Sequence, residues 1–272
     1  MVKRIIPSTG ELLPAIGLGT WQSFDVGESK QSNLIPVLEE LHKYGGRLID
    51  SSPMYGRSET VIGNLTSKLE SRNGFFYATK VWTTGRQACI DQMKSSMKTM
   101  QRENMDLMQI HNLLDWKTHL PVLREWKDAG IIKYVGITHY QDSRHDELAR
   151  TISSEKIDFV QFNYSIDSLH AEKKLLKVAG EKGVATLINR PFGEGRLFEK
   201  VKGKKIPEWC NDFGIKTWSS FFLKFILSNP NVTCVIPATS DVRHAADNFY
   251  AGIEPIPDFE LSRKLVKHLD LS

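Results

Sequence analysis

Apolar residues along this chain fall into two alternating rhythms. Short runs with almost no polar residue, such as Leu48-Ile49, Phe76-Tyr77-Ala78 and Leu107-Met108, alternate with longer stretches where apolar positions recur every three or four residues. The first pattern suits strands covered on both faces, as in parallel sheets, and the second suits amphipathic helices. Lys3–Ile6 and Glu11–Leu13, joined through Pro7-Ser8-Thr9-Gly10, read as a small hairpin ahead of this alternation.

Strands are then expected at Ala15–Gly19, Arg47–Asp50, Phe76–Trp82, Asp106–Ile110, Tyr134–Thr138, Asp158–Asn163, Val184–Ile188 and Thr233–Pro237. Helical faces run through Leu34, Val37, Leu38, Leu41 and Tyr44, stopped by Gly45-Gly46, and through Val61, Ile62, Leu65 and Leu69. Further faces carry Ala88, Ile90, Met93, Met97 and Met100, a stripe that reads as core filling, and Leu120, Leu123 and Trp126, closed by Gly130. Asp142 or Ser143 is the expected N-cap of the next helix, and Gly183 closes the one through Leu175, Leu176 and Ala179. After a glycine-containing loop at 189–195, a helix through Trp218, Phe221, Phe222 and Phe225 stops at Pro230. Another helix ends near Gly252, and a tail helix is expected through Leu261, Leu265 and Leu269. Eight buried strands, each followed by a helix, predict a (β/α)8 TIM barrel over residues 1–272 as a single domain, with a short N-terminal β-hairpin and a C-terminal helix. The competing doubly wound sheet usually carries a Gly-rich turn after its first strand, and Gly17-Leu18-Gly19-Thr20-Trp21-Gln22 does not continue as GxGxxG.

Composition narrows the function classes. The chain has 272 residues, 40% of them hydrophobic, which is enough for a large core. Its formal net charge of +4, from 36 basic and 32 acidic residues, is too balanced to argue for a nucleic-acid partner. The one tight basic cluster, Lys202-Gly203-Lys204-Lys205, reads as a solvated loop. Three scattered cysteines (Cys89, Cys210 and Cys234) without a CxxC fit a reducing compartment, and the first residues lack the apolar run of a signal peptide. No run approaches the roughly 20 apolar residues of a membrane span. The expectation is a cytoplasmic protein, unless an export segment has been removed, with no membrane or nucleic-acid partner and no metal, working as a monomer or weak homo-oligomer.

Active sites of such barrels lie at the carboxyl ends of the strands. Those ends carry Thr20, Asp50, Lys80, His111, Thr138-His139, Gln161, Asn189-Arg190 and Thr239-Ser240. A buried strand that stops on Asp50 needs a partner for that charge, because an unpaired buried ion costs several kcal/mol. Lys80, one strand on, is the obvious cation. Tyr55 follows Asp50 through a Ser/Pro turn, and a cation within about 4–6 Å lowers a phenol's pKa by about 1–3 units. His111 can hydrogen-bond a substrate oxygen beside that phenol. The set is suited to moving a proton to or from a carbonyl or alcohol oxygen, and with no electron donor among its residues a redox reaction needs a hydride carrier.

The motifs Gly17-Leu18-Gly19-Thr20-Trp21, Asp50-Ser51-Ser52-Pro53-Met54-Tyr55-Gly56, Thr79-Lys80-Val81-Trp82 and Ile110-His111-Asn112 together make the chain resemble an aldo-keto reductase from end to end. Gly136-Ile137-Thr138, Val160-Gln161-Phe162-Asn163, Pro191-Phe192-Gly193 and Ile236-Pro237-Ala238-Thr239-Ser240 leading to Asp247-Asn248 extend the likeness. The resemblance implies an NADPH cofactor, with NADH as the alternative, and a small-molecule carbonyl substrate. It makes Tyr55 the general acid, Lys80 and Asp50 its tuning pair and His111 the carbonyl-orienting group. It places Thr138, His139 and Gln161 at the nicotinamide amide, and Thr20 and Trp21 along the cofactor and substrate cleft, with Trp82 in the substrate wall. The loop with Asn189, Arg190, Pro191 and Gly193 belongs to the same cofactor path, and Thr239, Ser240, Asp247 and Asn248 fall at the adenosine end.

The sequence also departs from the family pattern. Asn189 stands where many members place an aromatic residue under the nicotinamide, and His139 replaces a familiar Asn. The set that grips the 2′-phosphate reads Ala238, Thr239 and His244, with Arg243 one place off, which weakens the case for strict NADPH use. A short tail implies a reduced closing loop and an open pocket. Two other functions compete: a Schiff-base aldolase using Lys80 as nucleophile, and a nicotinamide-cofactor-binding sensor or regulatory subunit with little turnover.

Overall fold

A computed structural model describes residues 1–267, with side chains described through Arg263. Strands β1 (Lys3–Ile5) and β2 (Leu12–Pro14) form the antiparallel hairpin, with Arg4 opposite Leu13. Eight parallel strands then follow one another around the barrel in chain order: β3 (Leu18–Gly19), β4 (Leu48–Asp50), β5 (Phe76–Val81), β6 (Met105–Ile110), β7 (Ile132–His139), β8 (Phe159–Asn163), β9 (Ala185–Asn189) and β10 (Cys234–Val235). Parallel bridges Ile16–Val235 and Gly19–Ala238 join the last strand to the first and close the barrel. At this seam Gly17 and Gly19 are required by sterics. A Cβ on Gly17 would meet the Leu48 carbonyl oxygen at 2.8 Å, and one on Gly19 would meet that of Ile236 at 2.8 Å.

The outer layer consists of α1 (Glu28–Gln31), α2 (Ile35–Lys43), α3 (Ser58–Thr66), α4 (Arg86–Thr99), α5 (Trp116–Asp128), α6 (His145–Ser154), α7 (Leu175–Lys182), α8 (Arg196–Lys200), α9 (Trp218–Leu227), α10 (Val242–Tyr250) and α11 (Phe259–Lys267). The main core lies between this layer and the strands. A second cluster fills the barrel itself: Leu48, Phe76, Ala78, Leu107, Tyr134, Phe159, Ala185 and Leu187 point inward, and Ile6 and Leu13 of the hairpin seal the N-terminal end. Side chains alternate along each strand, so the inward positions above this apolar plug fall on Asp50, Lys80, Gln109, Thr138 and Gln161. The fold therefore gathers these inward-facing polar groups at the strand-end mouth.

Several expectations need correction in detail. The first barrel strand is a ladder of two residues rather than Ala15–Gly19, and Leu69 lies beyond the end of α3. Neither Asp142 nor Ser143 caps α6, which begins at His145 after a 3-10 turn; Asp142 instead accepts hydrogen bonds from Ser168 and Asn163. The loop after β9 contains α8 and a 3-10 turn at Glu208–Phe213. The tail helix forms as expected at Phe259–Lys267, while Leu269 lies outside the described residues. Met93, Met97 and Met100 are buried, and Lys202, Lys204 and Lys205 are exposed. Among the described residues no helix is long and apolar enough to cross a membrane.

Candidate active site

At the bottom of the mouth the Lys80 ammonium, fully buried, donates to Asp50 Oδ2 at 2.5 Å and to the Ser51 carbonyl at 2.7 Å. The other carboxylate oxygen of Asp50 accepts from Gln109 Nε2 at 2.9 Å and Gln161 Nε2 at 3.0 Å. Gln161 Oε1 in turn accepts from Thr138 Oγ1 at 3.4 Å. The carboxylate is thus saturated with donors, which is what a buried ion pair needs to survive desolvation. Burial by itself would push the Lys80 ammonium's pKa down; Asp50 and Tyr55 outweigh it and leave the pKa raised. Lys80 is held as a cation.

Tyr55 stands above this pair, with the Lys80 nitrogen 4.9 Å from its ring centre. Gly56, at φ +59°, lets the chain turn away directly after it, and a Cβ there would run into the Asp25 carboxylate at 2.4 Å. The Asp25 carboxylate also pairs with Arg57 at 2.9 Å and so anchors the loop. The expected lowering of the Tyr55 pKa does not occur. Burial, the largest cause, raises it, and the cations Lys80 and Arg190 only partly counter this. Tyr55 is therefore a protonated phenol at neutral pH.

His111 meets Tyr55 edge-on, with ring centres 5.8 Å apart. Its Nδ1 lies 3.0 Å from Ser52 Oγ, which also accepts from the Met54 amide and so has its own proton free to give to the ring. A Ser52 hydroxyl that donates to Nδ1 leaves the imidazole proton on Nε2. Burial first, then the charges of Lys80 and His139, bring the His111 pKa down to about 2. The ring is neutral and can donate without carrying charge.

The remaining expected positions divide into two groups. Thr20 is buried, with its hydroxyl spent on the Asp50 carbonyl at 2.9 Å and Ser51 Oγ at 3.1 Å, so it holds the loop. Trp21 and Trp82 are 38% and 44% exposed at the mouth, joined there by Met54 and Tyr140, which fits an open apolar rim. His139 is buried and its Nδ1 accepts from the Gln141 amide at 3.2 Å. Arg190, at φ +50°, lays its guanidinium 4.2 Å from the Tyr140 ring centre and pairs with Glu194 at 2.9 Å. Pro191 follows it, and Gly193 turns the loop at φ +56°. Asn189 Oδ1 is buried without a hydrogen-bond partner.

Beyond β10, Ala238 and Ser240 are exposed and Thr239 half-buried, followed by Asp241, which caps α10 through the Arg243 amide. Arg243 folds back onto that carboxylate at 2.8 Å, and its charge and hydrogen bonds hold Asp241 well below the usual carboxylate range. His244 is exposed and Asn248 buried, while the Asp247 carboxylate is already engaged by Thr217 and Ser219 at the start of α9. Sequence reasoning missed Gln109, Ser52, Tyr140 and Glu194. Only Gln109 had a readable signal, as the inward polar position two residues from Leu107 near the carboxyl end of its strand.

A sequence model of the Aldo/keto reductase family matches residues 15–264. The aldo-keto reductase YhdN of Bacillus subtilis is 25% identical over 213 residues, 72% of this chain and 63% of that protein, so the matched part spans less than two thirds of its length. The methylglyoxal reductase DkgA of Salmonella typhimurium is 24% identical over 251 residues, 88% of this chain and 84% of its own. In three dimensions the chain is similar to an aldo-keto reductase of Klebsiella pneumoniae solved in complex with NADPH, with a TM-score of 0.81, 23% identity and coverage of 99% and 95% of the two chains.

Proposed function

The chain belongs to the aldo/keto reductase family, a family of NAD(P)H-dependent oxidoreductases, and from that premise we propose that it reduces aldehydes or ketones to alcohols with NADPH, Tyr55 giving the proton. The observation that carries this reading is the Tyr55 ring set over a Lys80 ammonium whose charge Asp50 fixes at 2.5 Å. When bound, the nicotinamide supplies hydride to the carbonyl carbon. The Tyr55 hydroxyl transfers its proton to the carbonyl oxygen as negative charge gathers there, and the Lys80 cation offsets the charge left on the phenol. General acid catalysis of this kind contributes roughly 10²–10⁴-fold. His111 Nε2–H donates to the same oxygen and orients it.

Asn189 supports a place for the cofactor, since its orphaned carbonyl oxygen suits a group bringing N–H donors, such as a carboxamide. Thr138, His139 and Gln161 line the same side, and Arg190, Pro191 and Gly193 continue the path towards Thr239, Ser240, His244, Asp247 and Asn248. Ala238 contributes no charge to that end, and Arg243 is already paired, so discrimination for the 2′-phosphate is weak and NADH is also accepted. Trp21 and Trp82 wall the substrate. The aldolase reading suffers from the geometry of Lys80: a Schiff base needs a free amine, and this one is buried, paired and protonated.

The test is a titration with NADPH and with NADH, followed by quenching of tryptophan fluorescence, and then NADPH oxidation with a panel of aldehydes and ketones. Saturable binding with carbonyl-dependent turnover is expected. Tight binding with no turnover on the panel would overturn the reading in favour of a cofactor-binding sensor or regulatory subunit.

A further inference from the structure

Glu59 is a buried carboxylate that the chemistry above does not use. It is 6% exposed and sits in the first turn of α3, four residues after Tyr55. Its Oε1 accepts from Thr79 Oγ1 at 2.5 Å and its Oε2 from Ser96 Oγ of α4 at 3.1 Å. Thr79 immediately precedes Lys80, and because side chains alternate along β5 it faces the helices while Lys80 faces the barrel interior. Burying a carboxylate between helix and strand is costly, and an apolar residue would pack there more cheaply. The cost is borne at the junction of the segment carrying Tyr55 and the strand carrying Lys80.

We propose that Glu59 is a positioning residue: by holding Thr79 it locks the Tyr55 segment to β5 from outside the barrel and so sets the distance between Tyr55 and Lys80. The apolar residues Val61, Ile62 and Leu65 dock the body of α3 on the core, while its first turn is held by Ser58 Oγ donating to the Thr20 carbonyl at 3.3 Å and by Glu59. Of these, the Glu59–Thr79 hydrogen bond is the one that reaches β5 beside Lys80. This rests on the assignment of Tyr55 as the acid. The groups that bear on Tyr55 are Lys80, Asp50, Arg190 and the neutral His111 ring; those facing Glu59 are Thr79, Ser96 and the Lys80 charge.

The test uses the full chain with benzaldehyde and NADPH, and benzyl alcohol with NADP⁺ for the reverse. Alcohol oxidation returns hydride to NADP⁺ and the alcohol proton to ionised Tyr55, so its rate rises with pH through the apparent pKa of that tyrosine. Thr79→Val, which removes the donor, is expected to lower kcat for reduction roughly tenfold or more with KM within about twofold. It also moves the oxidation limb to higher pH, because a looser Lys80 stabilises the phenolate less. Thr79→Ser keeps the hydroxyl and retains wild-type values, and Glu59→Gln falls between the two. A wild-type limb in Thr79→Val and Glu59→Gln, with any loss of rate matching loss of folded protein, overturns the proposal. Tyr55→Phe run alongside separates the two failures: if it retains turnover, the acid is misassigned and the positioning role falls with it.

Discussion

Asp50 shows how much one residue reveals. A carboxylate ending a buried strand demands a cation, and the next strand supplies Lys80 at hydrogen-bonding distance. What the sequence could not show is how completely that demand is met, since Gln109 and Gln161 also donate to Asp50. Removing one partner leaves the other buried, so Lys80→Met is expected to destabilise the fold by roughly 3–5 kcal/mol. Urea unfolding of the variant checks this, and an unchanged midpoint would mean that the glutamine donors suffice. Tyr55 marks where reasoning from neighbours alone fails. Charge proximity argued for a lowered pKa, but burial is the larger influence and became visible only with coordinates.

At the scale of elements, the alternation of rhythms located every barrel strand and the main helix after each, because strands buried on both faces leave so distinct a pattern. Boundaries shifted where the ladder depends on neighbours rather than on composition, as at β3 and β10. The α8 segment after β9 was illegible, since its short helix sits among glycines and charges that read as loop. The hairpin is an element with a structural task. Tyr134, inside the barrel, stacks on Phe76, meets Phe159 edge-on and donates to Glu11 at 2.7 Å, while Thr9 Oγ1 lies 2.7 Å from the same hydroxyl. Tyr134→Phe is expected to cost about 1–2 kcal/mol in thermal or urea unfolding while leaving kinetic constants unchanged. A change in KM or kcat would show that the plug and the mouth are coupled.

For the whole molecule, burial of histidines under the strand-end loops ties stability to pH. His111 is depressed to about 2 in the fold, and His139 and His145 are also lowered, burial being the largest cause in each. The unfolded chain, with histidines near 6.5, takes up protons first as pH falls, so stability is fully present above about pH 6.5 and is lost below it. At pH 5 the share of His111 alone is about 2 kcal/mol. Unfolding at pH 7 and pH 5 should show the drop, and His111→Asn should reduce it.

Carbonyl-dependent NADPH oxidation by Tyr55→Phe, with NADPH binding followed by tryptophan fluorescence in the same sample, reaches the acid assignment most directly. The expected result is a loss of kcat of at least about a hundredfold with cofactor binding unchanged. Turnover close to that of the unaltered protein would contradict the assignment of Tyr55 as the proton donor.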